Sequence, residues 1–387
     1  MLDVRIDGAR VLRPAGSTEP GSIGAEDGRL RIGVEGLPAR RVVDGAGLLL
    51  APGIVDIHGD AFERQIMPRP GVGFDVALAL ADTDRQLVAN GITTAYHGVT
   101  YSWEPGLRGR GTCLAILEAL ERLSGKLACD TRFHLRFETF NLDGVDDVTA
   151  WIGDRRLGIL AFNDHAREIA GHVRSESSKK AAVYVERTGL DRDALRDLVE
   201  RIVARAGEVP SAVASLASHA SACGVAMLSH DDPDPQTRLA YRAIGCHVAE
   251  FPETEATART ARDGGEAVVM GAPNVVRGGS HNGSINAAEM VKAGLCDVLA
   301  SDYYYPAQLM AAFKLARDGR LDLAAAWGLI SANAARAAGL DDRGTIADGW
   351  RADLVLVDDG DGHLPRVVAT IVAGRTAYLA DGDLIAS

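Results

Sequence analysis

The sequence predicts an α/β protein, a (β/α)8 barrel of the TIM type with a small β-sandwich domain built from both termini. Three observations indicate this fold. Between residues 51 and 340, eight short apolar runs alternate with longer amphipathic stretches. Such alternation is typical of parallel strands joined by helical crossovers, and eight of them suit a closed barrel. Both chain ends are β-rich instead, and 387 residues are enough for a barrel with an appendage.

Each predicted barrel strand is a short apolar run. The eight runs are Ala51–His58, Ile92–Gly98, Arg132–Glu138, Leu157–Asn163, Val225–His230, His247–Phe251, Ala267–Gly271 and Val298–Asp302. The clearest helical patterns between them are Val76–Asn90, Cys113–Ser124, Ala212–Cys223 and Tyr305–Arg317. An open, doubly wound sheet is the alternative architecture. No G-x-G-x-x-G follows an early strand, which weakens a dinucleotide-binding version of that alternative.

The two chain ends read as short strands separated by Gly and Pro turns. We therefore assign residues 1–50 and 341–387 to the β-sandwich domain and residues 51–340 to the barrel. One segment, 164–210, breaks the rhythm of the barrel and carries a polar cluster at 174–180. An insertion of this length after a barrel strand predicts either a lid over a site or a plain surface excursion.

Composition limits the classes of partner. The chain has 41 Lys and Arg against 53 Asp and Glu, a net charge of −12, which argues against nonspecific nucleic-acid binding. A small anionic substrate remains compatible, because a local basic pocket can oppose the global sign. The five cysteines form no CxxC pair, and we find no signal core and no apolar run of membrane-spanning length. We expect a cytoplasmic protein without a membrane partner, and leave open whether it forms homo-oligomers.

Metal-ligating side chains follow the predicted strands. Barrel enzymes carry their chemistry at the carboxyl ends of the strands, where side chains from different strands converge. The ligand types found at those ends are His58, Asp60, Glu138, His165, His230 and Asp302. This set predicts one or two divalent metal ions, with zinc as first choice and manganese, iron or nickel as alternatives. Such an ion supplies hydroxide at neutral pH, and we choose Asp302 as the carboxylate that accepts the proton.

Six further histidines are left out of the predicted metal set. His134 and His247 lie at predicted strand beginnings, on the face that serves stability. His97 ends a strand but no motif supports it. His172, His219 and His363 lie in loop or helix-surface patterns.

Two loops predict an anion site. Arg69 lies in Met67–Val72, a loop stiffened by two prolines directly after the first barrel strand. The loop after the seventh strand contains Arg277, Gly278, Gly279 and His281. Paired glycines let backbone N–H groups approach an oxyanion, and late barrel loops often bind phosphate. The alternative is a glycine-rich connector with an exposed arginine.

These residues carry a resemblance to a known family. Ala51–His58 is similar to the first-strand motif of the amidohydrolase superfamily, and Gly344–Val355 to its return into the β-sandwich. Within the superfamily the chain more closely resembles the PhnM family of α-D-ribose 1-methylphosphonate 5-triphosphate diphosphatases. That likeness is carried by His58–Val72, Ser229–Asp232, Gly271–His281 and Ser301–Tyr303.

The resemblance implies a metal-dependent diphosphatase of phosphonate breakdown that releases pyrophosphate from a ribosyl triphosphate. It implies that the strand-end residues form the metal shell, with Glu63 as an additional or outer ligand. It also implies that Arg69, Arg277 and His281 bind phosphate. Ala61 and Gln65 depart from the family pattern near the presumed mouth, and they concern the substrate rather than the metal.

Two other functions stay open at this point. An amidohydrolase or deaminase that cleaves a C–N bond in a small anionic substrate uses the same metal set. It gives Arg69 and Arg277 no task beyond binding a carboxylate. A non-catalytic scaffold is the third interpretation, and ligand-type residues at so many strand ends argue against it.

Overall fold

The computed structural model describes residues 1–387 except 14, 15, 17, 70, 176, 177, 280–284, 361–363, 381, 383, 384 and 387. The N-terminal strands are β1 (Val4–Leu12), β2 (Thr18–Glu26), β3 (Arg29–Ile32), β4 (Val42–Asp44) and β5 (Leu49–Pro52). The next eight are β6 (Ile54–Gly59), β7 (Ile92–Tyr101), β8 (Asp130–Glu138), β9 (Ile159–Asn163), β10 (Ala226–His230), β11 (Val248–Glu250), β12 (Ala267–Gly271) and β13 (Val298–Ala300). The C-terminal strands are β14 (Leu354–Asp358), β15 (Arg366–Val372), β16 (Arg375–Leu379) and β17 (Ile385–Ala386).

Helices connect most of the central strands. Those before β10 are α1 (Glu63–Ile66), α2 (Val76–Ala89), α3 (Arg110–Leu123), α4 (Val145–Gly153), α5 (Ala166–Arg174), α6 (Lys179–Thr188), α7 (Arg192–Ala204) and α8 (Val209–Ala222). Those after β10 are α9 (Pro235–Ala243), α10 (Glu255–Asp263), α11 (Ala272–Arg277), α12 (Ala287–Lys292), α13 (Ala307–Arg317), α14 (Leu323–Gly328) and α15 (Ala332–Ala337). Among the described residues, 3-10 turns occupy Gly106–Arg108 and Leu142–Gly144.

Strands β6 to β13 form a parallel sheet in chain order, and the sheet closes on itself. Gly59 bridges Asp302, since the Asp302 N–H donates to the His58 carbonyl and the Asp60 N–H donates to the Asp302 carbonyl, both at 2.9 Å. Asp302 follows β13, so these bonds join the last strand to the first. The predicted barrel is confirmed, and the open-sheet alternative is wrong.

The barrel interior changes from apolar to polar along the strands. Alternate residues of a strand share one face. Leu228 and Val248 belong to the apolar core inside the barrel, and two positions further along the same faces come His230 and Glu250. The strand alternation therefore delivers polar side chains to the carboxyl-end mouth above an apolar floor.

The sheet of the chain ends packs on the barrel. Nine strands from both ends are hydrogen-bonded into one mostly antiparallel sheet, separate from the barrel sheet. Leu354 and Leu356 of β14 face its own core, whereas Val355 and Val357 face the core shared with the barrel. Strand β14 is therefore buried on both faces, which explains its continuous apolar sequence.

The predicted first barrel strand, Ala51–His58, is two strands in the structure. Ala51 ends up in β5 of the terminal sheet, and β6 begins at Ile54. Gly53 lies between them, where a Cβ atom would collide with the Thr93 side chain. The chain can pass from one sheet to the other here only because residue 53 has no side chain.

The segment 164–210 contributes α5, α6 and α7 and a small core of its own. Ile169, Val173, Leu195 and Val199 are buried in that core. No helix among the residues described above is long and apolar enough to cross a membrane.

Candidate metal centre

An inner cluster of ligand-type side chains lies at the barrel mouth, and it consists of His58, His134 and Glu250. All three are at most 1% exposed. His58 Nδ1 lies 2.8 Å from Glu250 Oε1, and the pair does not have the geometry of a hydrogen bond. Two lone-pair donors this close, with no hydrogen bond between them, are arranged as ligands of one cation are arranged.

The ring of His134 has the orientation of a metal ligand. Its Nδ1 donates to the Ile57 carbonyl at 2.8 Å, which leaves the Nε2 atom with the lone pair. That Nε2 is buried, makes no hydrogen bond to any described residue, and lies 3.9 Å from Glu250 Oε2. Gly98 leaves room for the neighbouring ring, because a Cβ there would lie 3.3 Å from His58 Nε2.

An outer cluster consists of His165, His230 and Asp231. Asp231 Oδ2 lies 3.2 Å from the Nε2 atoms of both histidines. His230 Nδ1 lies 2.7 Å from Glu250 Oε2. Glu250 therefore connects the two clusters, with one oxygen toward His58 and the other toward His230.

Charges in the two clusters are balanced differently. Burial lowers the pKa of His58 to about 4, so that imidazole is neutral, as a metal ligand must be. Burial alone would lower the pKa of His165 as well, but the carboxylates of Glu138 and Asp231 raise it to about 10. Without a metal, a proton on His165 therefore supplies the positive charge that its carboxylates need, and a bound cation would take over that task.

Glu138 supports the outer cluster from behind. Its Oε1 lies 2.6 Å from His165 Nδ1, and its Oε2 accepts the His165 backbone N–H at 3.2 Å. Burial alone would raise the pKa of Glu138, but His165 holds it at about 2. Glu138 thus orients the imidazole whose Nε2 faces Asp231.

Asp60, Asp302 and Arg136 lie on the same wall of the mouth. Arg136 approaches Asp60 Oδ2 at 3.4 Å and His230 Nε2 at 2.8 Å. Burial, and after it the charge of Asp60, raises the pKa of Asp302 to about 7. A carboxyl group with a pKa near neutrality is suited to accept a proton from water.

These groups open into a cavity of about 660 Å³. Its deep wall includes His58, Asp60, His165, His230 and Asp302. Its rim carries cationic and glycine residues from late loops and from the insertion, namely Lys180, Arg277 and Gly279. A volume of this size is typical of sites for small molecules.

The comparisons with known proteins agree with this geometry. Residues 159–378 match the model of the amidohydrolase family. The chain is 33% identical over 360 residues to the α-D-ribose 1-methylphosphonate 5-triphosphate diphosphatase of Escherichia coli strain K12, covering 89% of this chain and 92% of that protein. The chain belongs to the amidohydrolase family.

Two solved enzyme structures show the fold of this amidohydrolase. A dihydropyrimidinase from Brevibacillus agri NCHU1002 is 13% identical with a TM-score of 0.63, over 97% of this chain and 95% of the other. The D-hydantoinase of a Bacillus species, strain AR9, is 15% identical with a TM-score of 0.64 and the same coverage. At these identities the likeness concerns the fold alone.

The family implies a divalent metal, and the chain is a metal-dependent hydrolase. The buried donors fit such an ion, since His134 Nε2, His58 Nδ1 and Glu250 Oε1 are buried and hydrogen-bond to no described residue.

The structure brings the predicted strand-end ligands together, but the additional ligand Glu63 lies elsewhere. His58, Asp60, His165, His230 and Asp302 line the cavity, and Glu138 lies directly behind His165. Glu63 lies outside both clusters, 3.4 Å from an Arg108 nitrogen.

Some of the predicted anion-binding residues line the cavity and others do not. Arg277 and Gly279 line the cavity, and Gly278 ends α11 with a φ of 80°. Arg69 lies in an exposed turn bridged to Val72, away from the cavity lining. His281 lies outside the described residues.

The two departures from the family pattern, Ala61 and Gln65, do not line the cavity either. Ala61 is buried in the barrel core.

Three residues of the clusters were missed by the sequence reasoning. His134 was excluded because we expected it at the beginning of a strand. That expectation is wrong, since His134 lies in the middle of β8. The available signal was the spacing of His134, Arg136 and Glu138, since residues two apart share one strand face. Glu250 was signalled by a lone carboxylate within an apolar strand, and Asp231 directly follows the predicted ligand His230.

Proposed function

We propose that this amidohydrolase cleaves pyrophosphate from α-D-ribose 1-methylphosphonate 5-triphosphate or a close analogue. The observation that carries the proposal is the pairing of imidazole–carboxylate clusters with Arg136, Lys180 and Arg277 around one cavity. Cationic side chains in that position match a polyanionic substrate and exceed what a single carboxylate needs. The match to the Escherichia coli diphosphatase over nearly the whole chain supports the same assignment.

The chain's own residues divide the work as follows. His58, His134 and Glu250 would hold one divalent ion, and His165, His230 and Asp231 a second. Zinc suits these imidazole-rich sets, and manganese, iron and nickel share the same donors. A divalent ion bound there polarises phosphoryl oxygen and lowers the pKa of water.

Binding and proton transfer fall to the remaining residues. Arg277, Lys180 and the backbone of Gly279 bind phosphate oxygens at the rim. As water oxygen bonds to the α-phosphorus, the bridging P–O bond breaks and pyrophosphate leaves with the electron pair. Asp302 accepts the proton of the attacking water. Its backbone is fixed for this task by hydrogen bonds to His58 and Asp60 on the first strand.

Phosphorus NMR of the reaction mixture tests the proposal. We expect pyrophosphate from the ribosyl triphosphate with the metal-loaded enzyme, and its loss in Asp302→Asn with metal content retained. Asp193→Asn, at an exposed aspartate of α7 outside the cavity lining, is the matched control and should keep full activity. Release of ammonia or amine from a nitrogen substrate, without any pyrophosphate, would instead establish a C–N hydrolase.

A further inference from the structure

A small chamber adjoins the main cavity between the barrel and the insertion. Its volume is about 120 Å³, and its wall includes Thr100, Arg108 and Arg136 from the barrel side and Tyr184 and Arg187 from α6. Arg136, His165 and Glu168 line both the chamber and the main cavity. The chamber is therefore a side compartment of the same mouth, and none of the roles assigned above uses it.

The carboxylates of the chamber wall already have cationic partners. Glu104 receives two hydrogen bonds from Arg187, at 2.6 and 2.8 Å. Glu168 accepts from Lys180 at 2.9 Å. Glu138, the third carboxylate, is held by the His165 imidazole described above. The acidic groups in this wall are therefore neutralised by neighbours.

The positive charges of Arg108 and Arg136 are less completely used. Arg108 approaches a carboxylate of the described residues only through one 3.4 Å contact with Glu63. Arg136 hydrogen-bonds to His230 Nε2 at 2.8 Å and reaches a carboxylate, that of Asp60, at 3.4 Å. The two carboxylate contacts, of Arg108 and of Arg136, are longer than a charge-assisted hydrogen bond, which is usually about 2.7–2.9 Å. The chamber thus has two guanidinium groups whose charge is not matched by a carboxylate at close range.

Buried donors in the same wall lack acceptors. The Thr100 hydroxyl and the Nε atoms of Arg108 and Arg136 are buried, and none of them hydrogen-bonds to a described residue. Buried polar groups without partners are rare, and an ion or water is a usual explanation. Three such donors around one small space indicate an acceptor-rich ligand.

We propose that this chamber is a subsite for one tetrahedral oxyanion, a phosphoryl or phosphonyl group at one end of the substrate. The proposal rests on the proposed function and specifies where one end group of the substrate binds. The chamber has the volume of roughly four water molecules, so it accepts one tetrahedral group and excludes the sugar. Arg187 and Tyr184 come from the insertion, so residues 164–210 would contribute to substrate selection.

Calorimetric titration of the full chain with inorganic phosphate and with methylphosphonate tests this subsite. Arg108→Met should bind the preferred probe about tenfold to a hundredfold more weakly than wild type, as expected for a lost charged hydrogen bond. Arg122→Met, at an exposed arginine of α3 outside the chamber wall, removes the same charge and should bind like wild type. If methylphosphonate binds more tightly, the subsite holds the phosphonate end of the substrate. If phosphate binds more tightly, it holds the triphosphate end.

The readout does not depend on turnover, so it separates this proposal from the proposed function. Equal binding by wild type and Arg108→Met would mean that phosphate binds only at the metal clusters, and the subsite would be refuted. Absence of probe binding to wild type would refute it equally. If Arg108→Met does not fold, Arg108→Lys and Thr100→Val give the same test, each with an expected weaker affinity. If wild type binds phosphate through Arg108 but releases no pyrophosphate from the triphosphate, only the diphosphatase assignment is overturned.

Discussion

Replacing His134 by phenylalanine distinguishes a metal ligand from a structural core residue. In the structure the His134 Nε2 is orphaned beside Glu250, while Nδ1 donates to the Ile57 carbonyl. Phenylalanine keeps an aromatic ring, which is somewhat larger, and removes both nitrogens. The variant should lose a metal ligand and leave one buried carbonyl without its donor.

The two losses have different sizes and different readouts. The unpaired Ile57 carbonyl should cost about 1–3 kcal/mol of stability in the metal-free protein. Metal affinity should fall at least 100-fold, since even residues that only orient ligands contribute about 10- to 100-fold. A metal at 100 times its Kd stabilises the folded state by about 2.7 kcal/mol, and a 100-fold weaker site leaves about 0.4 kcal/mol.

Denaturation with and without added metal, together with metal analysis of the purified protein, measures both terms. His97→Phe is the control, because His97 is also buried in a barrel strand but belongs to neither cluster. It should keep the full metal-dependent gain in stability. If His134→Phe keeps that gain too, His134 is a core residue and the inner cluster is not a metal site.

Two further predictions concern stability and substrate binding. Arg343→Met removes a buried guanidinium that pairs with Asp130, and should cost about 2–3 kcal/mol at neutral pH by urea denaturation. Burial would raise the pKa of Asp130, but the neighbouring guanidinium groups lower it below its usual value, so this stabilisation is present above the unfolded pKa of about 3.9 and is lost as pH falls through the folded value. The gap between wild type and variant should therefore narrow below about pH 4, and a gap independent of pH would contradict the argument. Lys180→Met should raise the KM for the triphosphate up to about fivefold with little change in kcat, whereas Lys179→Met, at the exposed neighbour outside the cavity lining, should leave both constants unchanged.

The barrel strands were predictable because each is a short, strongly apolar run between breaks. Predicted Ala267–Gly271 and observed β12 coincide, and the other boundaries differ by a few residues. The division at Gly53 was not predictable, because it depends on the approach of Thr93, a residue 40 positions away. The helices of 164–210 show no strand pattern in sequence, and only the tertiary structure places Lys180 beside the mouth.

The candidate site was predictable where a potential ligand lies at the end of an apolar strand, as His58 and His230 do. His134 was missed because its place within β8 depends on where that strand begins, and strand boundaries are the least certain feature of a sequence pattern. For Arg69 the sequence lacked a different kind of information. Two prolines stiffen its loop, but stiffness does not fix the direction of a side chain, and Arg69 is exposed and does not line the cavity.

Backbone hydrogen bonds between neighbouring barrel strands orient the residues of the site. Asp231, Phe251 and Asp302 have φ values of 57°, 54° and 55°, which non-glycine residues rarely adopt and which cost about 1–3 kcal/mol each. Each donates its N–H to a residue of the next strand at 2.9 Å, so the sheet continues to hold the backbone at the point where the chain turns. The residues before the first two turns are the cluster members His230 and Glu250. Because hydrogen bonds of the barrel maintain these strained turns, the barrel itself holds the side chains of the two clusters in place.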